Sequence, residues 1–102
     1  MLVELSIIPV GNDAHLSDDL AGTLRIVDDS QLPYQLTPAG TCIEGNWDEV
    51  MAVVRRCHEQ MRERSSHVFT TIRIEDEADA ENKLVNNVAS VAEKVAKPLS
   101  RT

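Results

Sequence analysis

Aromatic side chains are nearly missing from this chain of 102 residues: Tyr34, Trp47 and Phe69 are the only three. A core made without them has to come from Val, Ile, Leu, Ala and Met. Basic residues are also scarce, with 10 Lys and Arg against 17 Asp and Glu, for a net charge of -7. That balance argues against nucleic acid, which needs clustered cations to neutralise phosphates. It suits solubility first, and a cationic ligand second. The four glycines fall in no phosphate-loop spacing, and no Gly-x-Ser-x-Gly elbow is present. Cys42 and Cys57 match no zinc or redox spacing, and nothing in the pattern favours a disulfide. No apolar run approaches the length that spans a membrane. Met1 to Val10 lacks a basic start and reads as a strand, not a leader, so the expected location is the cytoplasm.

What is present is ordinary for a soluble globular protein: 42% apolar and 26% charged residues. The length suits one domain, residues 1–102. Val3, Leu5 and Ile7 alternate with Glu4, Ser6 and Ile8, which predicts a strand over Leu2 to Pro9. Ser17 is a suitable N-cap, with Asp18 and Asp19 in the favoured first turn, and Leu20, Leu24 and Val27 recur at helical spacing. A helix from about Asp18 to Ser30 follows, and Pro33 blocks its continuation. Tyr34 to Thr37 and Thr41 to Glu44 are short strand candidates joined through Pro38-Ala39-Gly40 as a hairpin. Asn46 and Glu49 form a capping-box variant ahead of a second helix whose stripe is Val50, Val53, Val54, Cys57 and Met61. His67 to Ile74 is the last strand, with Val68, Thr70, Ile72 and Ile74 on one face. Leu84 to Ala96 makes a third helix, closed by Pro98.

The order is β-α-β-β-α-β plus a C-terminal helix, the split βαβ pattern of an α+β, ferredoxin-like fold. Right-handed crossovers put both main helices on one face of a four-stranded antiparallel sheet. The other face then needs cover from the third helix, a partner subunit or both, so a homo-oligomer is expected.

Chemistry-bearing residues are dispersed. His15, His58 and His67 form no metal-binding pair, and neighbouring side chains Cys57 and His58 diverge by about 100° on a helix. Cys57 is expected in the core and His58 at the surface. Glu75, Asp76, Glu77 and Asp79 lack the glycine and spacing of a calcium loop and read as a solvated turn. No metal or cofactor is therefore expected. Two clusters remain: Pro38 to Trp47, and Phe69 to Arg73. Both carry threonines in or beside strands, where a hydroxyl faces water or a ligand.

Ser6-Ile7-Ile8-Pro9-Val10-Gly11, Gly40-Thr41-Cys42-Ile43-Glu44-Gly45 with Trp47-Asp48-Glu49-Val50, and Thr70-Thr71-Ile72-Arg73-Ile74 together resemble the thiamine-binding protein family. The resemblance runs from Val3 to about Val95. It implies a ferredoxin-like fold, assembly into dimers or tetramers, and a pocket for thiamine or its hydroxymethylpyrimidine moiety, with no catalytic residue to carry over. Cys42 stands where the family pattern suggests an aliphatic residue, and Glu77 to Glu81 is more acidic than that pattern.

Such a ligand needs an acceptor for its amine, a donor for a ring nitrogen and flat apolar walls. Ser6, Thr41 and Thr70 offer hydroxyls. Glu44 offers an acceptor or a counter-charge. Ile8, Pro9, Tyr34 and Trp47 offer walls, and an aromatic face stabilises a cation. Two other readings stand beside this binder. One is an oligomeric scaffold or regulatory module without a small ligand. The other is a small enzyme using His15 or His67 as base, for which no nucleophile–base pair is legible.

Overall fold

The structure, a computed structural model, describes residues 1–11 and 16–95. Seven elements follow in the order β1 (Leu2–Pro9), α1 (Leu16–Asp29), β2 (Tyr34–Thr37), β3 (Gly40–Glu44), α2 (Trp47–Arg64), β4 (Val68–Glu75) and α3 (Lys83–Val95). The four strands form one antiparallel sheet in the order β2-β3-β1-β4. This is the expected ferredoxin-like α+β topology with an added helix.

Strand alternation sorts the sheet into two faces. Val3, Leu5 and Ile7 pair with Ile74, Ile72 and Thr70 of β4, and Val3 and Leu5 with Ile43 and Thr41 of β3. This face meets α1 and α2. Val3, Leu5, Ile7, Val27, Ile43, Val50, Val53, Val54, Cys57 and Met61 form the buried cluster there. Each fully buried aliphatic side chain contributes about 1.5–3 kcal/mol. No aromatic takes part: Trp47 is 56% and Phe69 63% exposed, and Tyr34 is also exposed. Between the helices, Arg64 Nε donates to the buried carboxylate of Asp19, and Cys57 Sγ donates to the Thr23 carbonyl at 3.7 Å.

The opposite face differs from expectation. Leu2, Ile8 and Phe69 are its apolar residues, but its middle rows carry Gln35, Cys42, Glu4 and Arg73, then Gly40, Ser6 and Thr71. Most of this face is polar and tolerates water. At one end α3 leans on it: Glu44 Oε2 and Oε1 accept from the backbone N–H groups of Lys83 and Leu84 at 2.7 and 3.3 Å.

Several boundaries move. Helix α1 starts at Leu16, so Ser17 lies inside the first turn and does not cap it. Gly40 belongs to β3 and pairs with Thr37, leaving Pro38 and Ala39 as the turn. Thr37 Oγ1 donates to the Gly40 carbonyl at 2.9 Å and accepts from the N–H groups of Ala39 and Gly40. A Cβ at position 40 would stand 2.7 Å from the Leu5 carbonyl oxygen of β1, so the sheet closes there only around glycine. Asn46 caps α2 as its sequence predicts, accepting from the Glu49 N–H at 2.9 Å. Ala96, Pro98 and His15 lie outside the described residues.

Candidate functional site

Helix α1 crosses the sheet without filling the space beneath it. Leu20, Ala21 and Leu24 face Leu5 and Ile7 of β1, Thr41 of β3 and Leu36 of β2 across a cavity of about 370 Å³, and the Thr37–Gly40 turn closes its side. The buried stripe of α1 is Asp19, Thr23 and Val27, and the cavity lies beside it, under the flank that carries Leu20, Ala21 and Leu24. The walls are aliphatic. Among the described residues, four hydroxyls line the space, from Ser17, Thr23, Thr37 and Thr41, and no carboxylate or cation does.

These hydroxyls are not equivalent. Thr37 is consumed by the turn. Thr23 makes two long hydrogen bonds, with the Asp19 carbonyl and Gln60 Oε1, both at 3.4 Å. Thr41 is 5% exposed and has no side-chain hydrogen bond among the described residues. Among the described residues the buried side-chain oxygen left without a partner is Asp19 Oδ2, so the Thr41 hydroxyl borders the open space of the cavity, where an entering polar group can pair with it.

The cavity continues along α1. Ala21 and Leu24 also line a more open groove of about 400 Å³, which adds Arg25, Asp28, Asp29 and Tyr34. Tyr34 donates its phenol hydrogen to Asp28 Oδ1 at 2.8 Å. That hydrogen bond, with some loss of solvent and the negative charge of Asp28, holds the Tyr34 pKa above its ordinary value, so the phenol stays neutral. The whole cleft is thus apolar at its inner end and charged at its outer end, with two carboxylates, one guanidinium and an aromatic edge.

The eight residues proposed from sequence do not converge. Thr41 lines the cavity and Tyr34 the adjoining groove. Ser6 and Ile8 lie on the opposite sheet face, and Pro9 is buried on the helix-facing side at the end of β1. Thr70 Oγ1 is hydrogen-bonded to His58 Nδ1 at 2.6 Å, which draws His58 half inside instead of leaving it at the surface. Glu44 holds the start of α3, and Trp47 opens α2 in solvent. Sequence reasoning missed Ser17, Leu20, Ala21, Leu24 and Leu36. No signal in the sequence separates them from ordinary helix and strand residues, because they meet only in the folded chain.

Elsewhere some of the polar residues are structural. Glu75 and Glu77 both pair with Lys83, at 3.3 and 3.0 Å, so part of the acidic run anchors α3. Among the described residues no group of three His, Cys, Asp or Glu side chains is placed to hold a metal ion. Both cysteines are free. No described helix is long and apolar enough to cross a membrane.

Comparison with known proteins agrees with the topology. A family model described as thiamine-binding protein matches residues 3–92. A UPF0045 protein of Methanothermobacter thermautotrophicus is 34% identical over 95 residues, covering 90% of this chain and 96% of that protein. The UPF0045 protein YqgV of Bacillus subtilis is 32% identical, covering 88% and 92%. Among solved structures, a hypothetical protein of Methanocaldococcus jannaschii superposes with a TM-score of 0.82 at 24% identity, covering 90% of this chain and 95% of the other. A Thermotoga maritima protein described in connection with thiamine biosynthesis or salvage superposes with a TM-score of 0.72 at 18% identity, covering 93% and 94%. At these identities the structural matches speak to the fold.

Proposed function

Because the chain belongs to the thiamine-binding protein family, we propose that it binds thiamine or the hydroxymethylpyrimidine half of it in the cleft under α1, without catalysing a reaction. The observation that carries this reading is the Thr41 hydroxyl, without a protein hydrogen bond among the described residues, in the wall of an apolar cavity that adjoins a groove carrying Asp28, Asp29, Arg25 and Tyr34. The ligand has matching halves. Its aminopyrimidine is flat, with one amine donor and ring-nitrogen acceptors, and suits aliphatic walls with a hydroxyl that serves either role. Its thiazolium is cationic and suits Asp28, Asp29 and the Tyr34 ring.

A binding role fits the side chains at hand. Among the described histidines, His58 is paired with Thr70 and His67 lies against Phe69 with the rings tilted by 42°, and neither lines the cleft. The same reading has the protein act in the cytoplasm as a homo-oligomer, dimer or tetramer, since α3 leaves a row of valines in solvent.

The test is isothermal titration with thiamine and with free hydroxymethylpyrimidine. Thr41→Val keeps the shape and removes the hydroxyl, so both ligands should lose about 1 kcal/mol of affinity. Asp28→Asn should weaken thiamine severalfold and leave the uncharged pyrimidine unchanged. No heat and no thermal stabilisation with either ligand would overturn the reading and leave an oligomeric module as the better account. Binding that ignores both substitutions would move the site elsewhere.

A further inference from the structure

A second cavity, of about 170 Å³, lies on the other side of the sheet, between its outer face and α3. Leu2, Glu4, Cys42, Arg73, Glu75 and Asn87 line it. The register explains the set. Cys42, Glu4 and Arg73 stand side by side in one row across β3, β1 and β4. Directly opposed side chains start about 5 Å apart, so a carboxylate and a guanidinium rise together from neighbouring strands.

These two charges do not close on each other. Glu4 and Arg73 form no ion pair with each other and neither side chain has a hydrogen bond among the described residues, although the charge of Arg73 also acts on Glu75. Glu75, by contrast, is engaged: its Oε1 accepts from Asn87 Nδ2 at 3.1 Å and meets Lys83 Nζ at 3.3 Å. Those bonds fix the roof contributed by α3. Burial, and then the negative charge of Glu4, raise the Cys42 thiol above its ordinary range, so Cys42 presents a neutral wall. The half-buried Glu4 carboxylate and the exposed Arg73 guanidinium therefore line a small, half-open space, one as an acceptor and the other as a donor.

We propose that this cavity is a binding site for a small zwitterion of α-amino-acid size, whose ammonium meets Glu4 and whose carboxylate meets Arg73. Opposite charges on directly paired strand residues select a molecule that carries both counter-charges on one short frame. A lone cation answers Glu4 only, and a lone anion Arg73 only. A space of about 170 Å³ accommodates a molecule as small as alanine, with six non-hydrogen atoms. The site is independent of the cleft under α1, from which the sheet separates it.

The test is a titration of the ¹⁵N-labelled protein with L-alanine, followed by amide shifts, with ethylammonium and acetate as single-charge probes. L-Alanine should give saturable shifts at Leu2 to Glu4, Cys42, Arg73 and Asn87, and neither single-charge probe should saturate. Glu4→Gln and Arg73→Gln should each weaken alanine about tenfold or more. Cys42→Leu, which fills the cavity and leaves both charges, should abolish the response while the remaining amide spectrum stays folded. Shifts that stay linear with concentration, saturate equally with acetate or ethylammonium, or centre on α1 would each overturn the proposal. So would saturation that survives Cys42→Leu.

Discussion

Cys57 is fully buried on α2, and burial pushes its thiol up to about 11, against a small opposing pull from Arg56. The folded state thus keeps the thiol proton after the unfolded chain has begun to lose it. Stability is complete below the ordinary thiol range, near 8.5 to 9, and declines as pH rises from there to about 11. Urea midpoints measured across that window should fall in the native protein. Cys57→Ala should start lower, because a buried sulfur leaves a gap, but its midpoint should decline less steeply. Parallel slopes in the two proteins would mean that other groups carry the alkaline loss. Thr41 poses the complementary case at the same scale. Its side chain is nearly buried and its hydroxyl has no protein hydrogen bond to lose among the described residues, so Thr41→Val should leave unliganded stability unchanged or slightly higher, even as ligand affinity falls. Equilibrium urea unfolding without ligand reads this directly.

At the scale of elements, α3 is the least embedded. Ala92 is its only buried residue, and Lys83 and Leu84 are half-buried at its start. What holds that start is a distant carboxylate: Glu44, at the end of β3, accepts from two of the free N–H groups of the first turn. Glu44→Ala should therefore cost about 1 kcal/mol, in the range of a lost helix cap. It should also speed amide exchange through residues 83–95 far more than through β1 or α2. Uniform acceleration would show that α3 is tied to the rest by packing instead.

This contact marks the limit of what the sequence makes legible. Strand alternation in β1 and β4, the Asn46 cap and the valine stripe of α2 are local patterns, and local periodicity predicts them well. Start points are less secure, because Ser17 looks like a cap and yet sits one residue inside α1. The site is harder still. Ala21 and Leu24 come to face Leu36 and Thr41 only after α1 is laid on the sheet. The proposed set mixed both sheet faces because strand residues alternate, and a hydroxyl on either face has the same appearance in one dimension. Glu44 is the instructive case: an acceptor at a strand end is legible, but its partner lies 39 residues away.

For the whole molecule, the question is what covers the apolar surface left over. The outer sheet face is mainly polar and by itself makes weak demand for a partner. The demand comes from α3, where Val85, Val88, Val91 and Val95 are all exposed, Val85 by 65%. They recur every three or four residues and so make one stripe. Ile8 and Phe69, opposed across β1 and β4, add a second apolar patch at 54% and 63% exposure. A second copy of the chain meets such a stripe at little cost in specificity, but each copy brings a net charge of -7. Apolar attraction and charge repulsion then oppose each other, and salt weakens only the repulsion. Sedimentation velocity should show a dimer or tetramer whose assembly strengthens as ionic strength rises. Val88→Asp combined with Val91→Asp should release monomers that keep the helical circular dichroism of the fold. Assembly that weakens with salt would point to ion pairs across the interface, and a wild-type monomer at every concentration would remove the oligomer altogether.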